Sequence, residues 1–498
     1  MVETREELRQ MLSDANQDIR KAIEEAEKDE KRPVYHFRAP SQWMDDPNGI
    51  IYDKGYYHMM YSWNPNSAKH RAGMVYKTAH RVWDPNHEDW TGGITGWGHA
   101  RSKDLLHWEH LPIALYPVID KGEHFIWFGT TAVNDNGVPV AIYTSVGPDK
   151  RPEDTADQWL WFGDQDMIHW KPAEENPILD YDLNGDEVLT EWRDPFVLKW
   201  GGKTWLLLGA RRLRDGKGDA VVALYEAQNA DYTRWAYRGV IFSLGDRQVP
   251  SCECPNLVKI GDKWVLVISL HGKAEYYIGD MDFDKPCFYT ETQGMVDYSA
   301  NFYATNIMED DAGRKIMYGA VEGFTRTKGW NGCVSLPRVL TVEGGRLVQT
   351  PAQELRTLTR ESWSICESLR EGWEYRTGKI QAGTALLELE VSTDGLFILG
   401  LEGEHSVDIR IQGEELKIGE KTARFPGSGK KRRFQVYVDR TVLEVFLGTG
   451  ECLTAVLEDA VLDAEVVICA KEKAAEFQLT LHQLDGDGLF SYGEGAFH

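Results

Sequence analysis

A chain of 498 residues exceeds what one hydrophobic core usually supports, which points to two domains. Its 79 acidic residues against 55 basic ones leave a formal charge of -24, which argues against nucleic acid and anionic membranes and suits a neutral substrate. The seven cysteines are odd in number and scattered, except for Cys252 and Cys254, so reduced thiols in a cytoplasmic protein are expected rather than a disulfide framework.

The opening MVETREELRQ is charged and has no apolar stretch of the kind a secretory signal carries. No later segment approaches the roughly 20 apolar residues of a membrane-spanning helix. Residues 4 to 30 read as one helix: Thr4 and Glu7 form a capping box, and Leu8, Leu12, Ala15, Ile19, Ala22 and Ala26 recur at spacings of four and three. That stripe has to be buried, either on the body of the chain or against a second copy in a homodimer. Arg32-Pro33 ends it.

From Val34 to about Arg346 the texture changes to short aromatic and β-branched runs broken by Gly, Asp and Asn, such as VPVAIYTSV, TWLLLGA and DKWVLVISL. The heavy load of 18 Trp, 21 Tyr and 17 Phe suits strands and also sites that stack sugar rings. So many strands overfill a single sandwich, whereas a propeller of four-stranded blades accommodates them. A polar stretch, TPAQELRTL, follows within a linker placed at 347–360. Beyond it, ALLELEVST, VDIRIQG and FQVYVDRTVLEVFLG alternate apolar and polar residues, which predicts a β-sandwich over 361–498.

Three segments of the first β region each set a carboxylate beside a turn-forming proline: Trp43-Met44-Asp45-Asp46-Pro47-Asn48-Gly49, Trp192-Arg193-Asp194-Pro195 and Cys252-Glu253-Cys254-Pro255. One Asp-Pro alone is an ordinary turn. Three, far apart in the chain, suggest acids that converge from different strands. Such a set suits glycosidic bond cleavage, where one carboxylic acid protonates the leaving oxygen and a second carboxylate attacks the anomeric carbon or activates water. Strand alternation sends Cys252 and Cys254 to one face and Glu253 to the other. No His or third Cys stands at ligand spacing, and no Gly-rich phosphate loop is present, so no metal and no cofactor are expected.

WMDDPNG, WRDP and CECP, in that order, resemble the three catalytic segments of glycoside hydrolase family 32, which comprises invertases, sucrose-6-phosphate hydrolases and fructanases. RPVYHFRAPSQ and GYYHMMYSWNP around the first segment are similar to the family, as are GWGHARSKDLLHWEHLPIAL, NFYATNIMEDDAGRKIMYG, GWNGCVSLPRVL and FQVYVDRTVLEVFLGTGECLTA. The resemblance implies an all-β chain: a helical extension over 1–32, a five-bladed β-propeller over 33–346 with the active site in its axial funnel, and a C-terminal β-sandwich. It implies retaining hydrolysis of β-fructofuranosidic bonds. Asp46 is then the nucleophile that forms a fructosyl-enzyme, Glu253 the acid and base, and Asp194 with Arg193 the holder of the sugar hydroxyls. Trp63, Trp90, Trp127 and Trp330 fall in family segments as further substrate-binding candidates.

The chain also departs from the family around the sugar. Asp45 stands where the family has Asn, Ser62 where it has Gln, and Phe128 where it has Ser. A connection from Asn66 to about Glu88, containing His70, His80, Trp83 and His87, is longer than usual. These departures favour a substrate other than plain sucrose. Competing readings are fructosyl transfer, hydrolysis of an unusual furanoside such as a difructose anhydride, and an inactive carbohydrate-binding propeller.

Overall fold

The computed structural model describes residues 4–69, 94–147, 156–214, 217–245, 247, 249–427 and 429–497, with the backbone of Met74–Lys77 and His80–Trp83. Five antiparallel sheets follow one another along the first 351 residues. Their innermost strands are Gln42–Asp53, Phe125–Val133, Val188–Trp200, Glu253–Ile260 and Phe302–Glu309. Each lies against the innermost strands of the two flanking sheets, and the fifth lies against the first, so a five-bladed ring closes.

Period-two alternation explains why the ring holds. In the third blade Leu206 and Leu208 join a cluster with Val140 and Ile142 of the second, while Leu207 joins Leu257 and Leu266 of the fourth. A strand between two neighbours thus buries both faces and reads as a continuous apolar run. The outer strand Arg346–Pro351 completes the fifth blade, so the propeller extends past the expected boundary at 346. A 3-10 turn, Gln353–Leu358, then leads into two six-stranded sheets that enclose Leu387, Leu399, Ile409, Val436, Ile468 and Leu479. That is the sandwich. The strand Phe490–Tyr492, expected to belong to it, instead pairs in parallel with Trp108–His110 at the edge of the first blade.

The N-terminal helix spans Arg5–Glu27 and begins with the capping box foreseen at Thr4 and Glu7. Its stripe is buried on its own chain: Leu8 packs with Ile94 and Ile119, Ile19 joins the core of the first blade, and Ala26 meets Trp330 and Phe324. Gly329 makes the last approach possible, since a Cβ there would stand 2.8 Å from the Ala22 carbonyl oxygen at a φ of +70°. No helix among the described residues is long and apolar enough to cross a membrane. Deleting residues 1–30 uncovers these surfaces and is expected to lower the melting temperature measured by calorimetry. A truncated protein that melts with the full chain removes the argument.

Propeller and sandwich meet around a buried ionic network. Arg338 of the fifth blade donates to Asp297 at 3.0 Å and to Glu444 at 2.7 Å, all fully enclosed. His36 bridges Glu444, 3.1 Å from Nε2, and Asp439, 2.8 Å from Nδ1. Asp439 also accepts the backbone N–H groups of Val34, Tyr35 and His36. Burial alone would lower the His36 pKa, but hydrogen bonds donated to these two carboxylates, and their charges, outweigh it and lift it to about 9. Because that exceeds the roughly 6.5 of a free imidazole, the contribution of His36 to stability is complete below about pH 6.5 and fades as the pH rises through 9. The melting temperature is therefore expected to fall over that window. His36→Gln should flatten the fall, and parallel curves for the two proteins would contradict it.

Candidate active site

All five innermost strands break their pairing at the same level. Two residues stand against one in each, between Met44 and Pro47, Ile126 and Gly129, Arg193 and Phe196, Glu253 and Asn256, and Tyr303 and Asn306. The residues left out of the ladder are Asp45-Asp46, Trp127-Phe128, Asp194-Pro195, Cys254-Pro255 and Ala304-Thr305. A bulge of this kind re-aims its side chains and asks for no ladder N–H, so proline fits there. Asp194, Cys254 and Ala304 take up the left-handed turn, with φ of 65°, 47° and 45°.

The bulges bring the three acid segments together. The Cys254 backbone N–H donates to Asp194 Oδ2 at 2.9 Å, and the Cys254 thiol is pushed up in pKa by burial and then by the charges of Asp194, Asp46 and Glu253. A single thiol thus feels all three carboxylates. This corrects the alternation argument for the cysteines: Cys252 lies in the core between the third and fourth blades, whereas Cys254 reaches an axial cluster with Phe128, Ala304 and Ala320.

Arg193, 3% exposed, ties the acids into one array. Its Nη2 donates to Glu253 Oε1 at 2.5 Å and to Ser251 Oγ at 2.9 Å, its Nη1 to Glu191 Oε2 at 2.5 Å, and its Nε stands 3.8 Å from Asp194 Oδ2. The other oxygen of Glu253 accepts from the Tyr303 hydroxyl and has His271 Nδ1 at 3.5 Å. Tyr303 in turn accepts the His271 backbone N–H at 2.8 Å. Neither Tyr303 nor His271 was singled out from sequence, although Tyr303 sits in the NFYATNIME segment.

Glu322, also missed, stands beside the first bulge. Carboxylate oxygens of Asp45, Asp46 and Glu322 lie within 4.8 Å of one another, which among the described residues is the one acidic or thiol-imidazole group compact enough for a metal ion. Spacing rules for Cys and His do not reach such a group. Burial, followed by the charges of Glu322 and Asp46, pushes the Asp45 pKa well above the carboxylate range, and burial also raises Glu322. At that separation and an effective dielectric of about 20, two unit charges repel by roughly 3 kcal/mol. The trio does not hold three full charges at neutral pH.

Two of the substrate-binding expectations, Trp63 and Trp330, fall elsewhere. Trp63 is 1% exposed, donates to the Ser41 carbonyl at 3.0 Å and packs edge-on to Phe497, on the helix side of the first blade. Trp330 is buried under the helix and donates to Asp29 at 2.8 Å. Both are anchors of the N-terminal segment, because alternation turns them away from the axis. The Ser62 hydroxyl lies 2.8 Å from the Asn48 amide inside the first blade. Phe128 supports the floor beneath the acids and offers no polar atom. Trp127 is half-buried in its bulge, with its carbonyl accepting from Trp97 at 3.0 Å. Trp90 lies outside the described residues. So do residues 70–73, 78–79 and 84–88 of the 66–88 connection, with its His70 and His87, whereas Met74–Lys77 pairs with His80–Trp83.

Residues 36–80 and 76–351 match the profile of the Glycosyl hydrolases family 32 N-terminal domain. The chain belongs to that family. It is similar to a sucrose-6-phosphate hydrolase of Zymomonas mobilis, 28% identical over 84% of both chains, and to a raffinose invertase of Escherichia coli, 26% identical over 93% of this chain and 94% of the other. Among solved structures, a sucrose-6-phosphate hydrolase from Lactobacillus gasseri superposes with a TM-score of 0.76 at 20% identity, covering 94% of this chain and 96% of that one. A Bombyx mori beta-fructofuranosidase gives 0.73 at 24%, over 95% and 98%. This family 32 member is a glycoside hydrolase of the β-fructofuranosidase type.

The Tyr303 hydroxyl stabilises the ionised form of Glu253. Tyr303→Phe is expected to raise the Glu253 pKa and to move any activity limb set by that carboxyl to higher pH. A pH–rate profile unchanged by the substitution would show that the contact carries no such influence.

Proposed function

We propose that the enzyme hydrolyses the β-fructofuranosidic bond of a small fructoside by a retaining route. The observation that carries this reading is the meeting of the three acid segments, with Arg193 joining Glu253 and Asp194, Asp194 accepting the Cys254 N–H, and Asp46 near enough for its charge to act on the Cys254 thiol. Asp46 attacks the anomeric carbon and forms a fructosyl-enzyme. Glu253 protonates the leaving oxygen and then takes a proton from the incoming water. Asp194 and Arg193 hold the sugar hydroxyls and steady the positive charge that develops at the anomeric centre.

Glu253 begins bound to Arg193 and Tyr303, a setting that favours its charged form. Sugar hydroxyls that engage Arg193 and Asp194 compete for the guanidinium, so Glu253 takes up a proton from water as substrate settles and holds it for the leaving oxygen. The closed array of Arg193 with Glu191, Asp194 and Glu253 fixes each donor before the sugar arrives, so little reorganisation remains for the transition state.

The substrate differs from plain sucrose in linkage or partner sugar. Asp45, Ser62 and Phe128 replace two amides and a hydroxyl of the family, and a site built for other hydrogen bonds discriminates strongly against a missing partner. Asp46→Ala and Glu253→Ala are each expected to lower kcat by on the order of 10⁴-fold with the fold intact. Their carboxyl groups should be roughly 5–5.5 Å apart in a crystal structure. On a panel of sucrose, sucrose 6-phosphate, inulobiose, levanbiose and difructose anhydrides, sucrose should show the lower kcat/KM. Near-normal turnover of Asp46→Ala removes the covalent route, sucrose as the best substrate removes the specificity argument, and oligosaccharide product in place of fructose redirects the chemistry to transfer.

A further inference from the structure

Glu322, like Asp45 beside it, takes no part in the mechanism, and its backbone is held firmly. Its N–H donates to the Asn301 carbonyl at 3.0 Å, and its carbonyl accepts from Asn301 Nδ2 at 2.8 Å. Asn301 Oδ1 in turn accepts from Val456 of the sandwich at 3.2 Å. Gly323 turns the chain immediately afterwards, with φ of +100°, and a Cβ there would meet Asn301 Nδ2 at 2.5 Å. The side chain is thereby delivered to Asp45 from a fixed point rather than from a loop tip.

Two features of the contact go beyond a cluster of acids. The charges of Glu322 and Asp46 act on Asp45 and that of Glu253 on Glu322, and among the described residues no Lys or Arg forms an ion pair with either carboxyl. Asp45 Oδ1 is also buried without a hydrogen-bond partner, directly beside the proposed nucleophile. A buried oxygen with no donor among the described residues is costly unless a neighbouring carboxyl keeps a proton for it.

We infer that Asp45 and Glu322 hold one proton between them and act as a single specificity-determining unit, in which the other oxygen of the half-buried Asp45 accepts a hydroxyl of the sugar bound at Asp46. The inference rests on the proposed function for the identity of that sugar. A carboxylic acid paired with a carboxylate keeps its proton for the partner oxygen, so the oxygen left over only accepts. An amide at position 45 would offer a donor as well. The site therefore selects a furanosyl unit with a free hydroxyl at this place and rejects one whose oxygen there is etherified and cannot donate. The raised pKa of both groups agrees with a retained proton at neutral pH.

The test combines spectroscopy and kinetics on the full chain with Asp45→Asn, Glu322→Gln and the double variant, all nearly isosteric. Infrared difference spectra at neutral pH should show the carbonyl band of a protonated carboxylic acid in the wild type and its loss in Asp45→Asn. Glu322→Gln should raise KM for the best fructoside by about tenfold or more while changing kcat less, and the double variant should be no worse than the poorer single one. Absence of the band, or effects of the two substitutions that add, overturns the inference. So does loss of activity on exhaustive chelation that Mg²⁺ or Ca²⁺ restores, which would make the trio a cation site. If the wild type releases fructose from no fructoside, the proposed function fails. The infrared result still decides whether the pair shares a proton.

Discussion

Five strands running toward a common axis crowd one another at their ends, and regular pairing cannot continue there. The bulge at the same level of every innermost strand is the response to that crowding, and the site follows from it. In a regular ladder Asp46, Asp194 and the residues around Glu253 would alternate between the two faces of their blades and disappear into the apolar clusters. Instead the bulges turn them inward. The left-handed turns at Asp194 and Cys254 are strained places for residues with a Cβ, and the surrounding blades hold them. Flanking blades share buried clusters along their whole length, so a shift in one bulge is resisted by two interfaces.

The same logic of holding a polar array by surrounding it recurs at the seam with the sandwich. Arg338 and His36 are outnumbered by Asp297, Asp439 and Glu444, and backbone N–H groups of Val34, Tyr35, His36, Leu336 and Thr454 supply the remaining donors. Removing one partner from such a network typically costs about 3–5 kcal/mol, because the rest stay buried and uncompensated. An apolar seam could hold the two domains together with equal strength. The charged one fixes their register, since few other orientations pair every group.

The parts of this molecule that announce themselves in the sequence do so through local rules. Thr4 with Glu7, the four-three stripe, and a proline next to each acid are short-range signals, and each has its counterpart in the structure. Trp63 and Trp330 mislead for the opposite reason. A tryptophan beside a family motif suggests a sugar platform, but only the tertiary arrangement shows that these two indoles face the helix. Cys254 escapes the alternation rule because a bulge cancels it, and nothing in CECP alone marks where the bulge falls. Glu322 and Tyr303 come from the fifth blade, and Glu322 has no proline beside it of the kind that marked the other acids. Their relevance is purely spatial.

The short strand Phe490–Tyr492 lies in the first blade, yet it follows the whole sandwich in chain order. A chain emerging in order from N to C has to build four blades, close the fifth and lay down twelve sandwich strands before the edge of its first blade is covered. Until then the backbone of Trp108–His110 remains an open edge, the kind of surface on which nascent chains join one another. The sandwich thus works as a delay line: the last piece of the ring cannot be fitted until the domain beside it has been made.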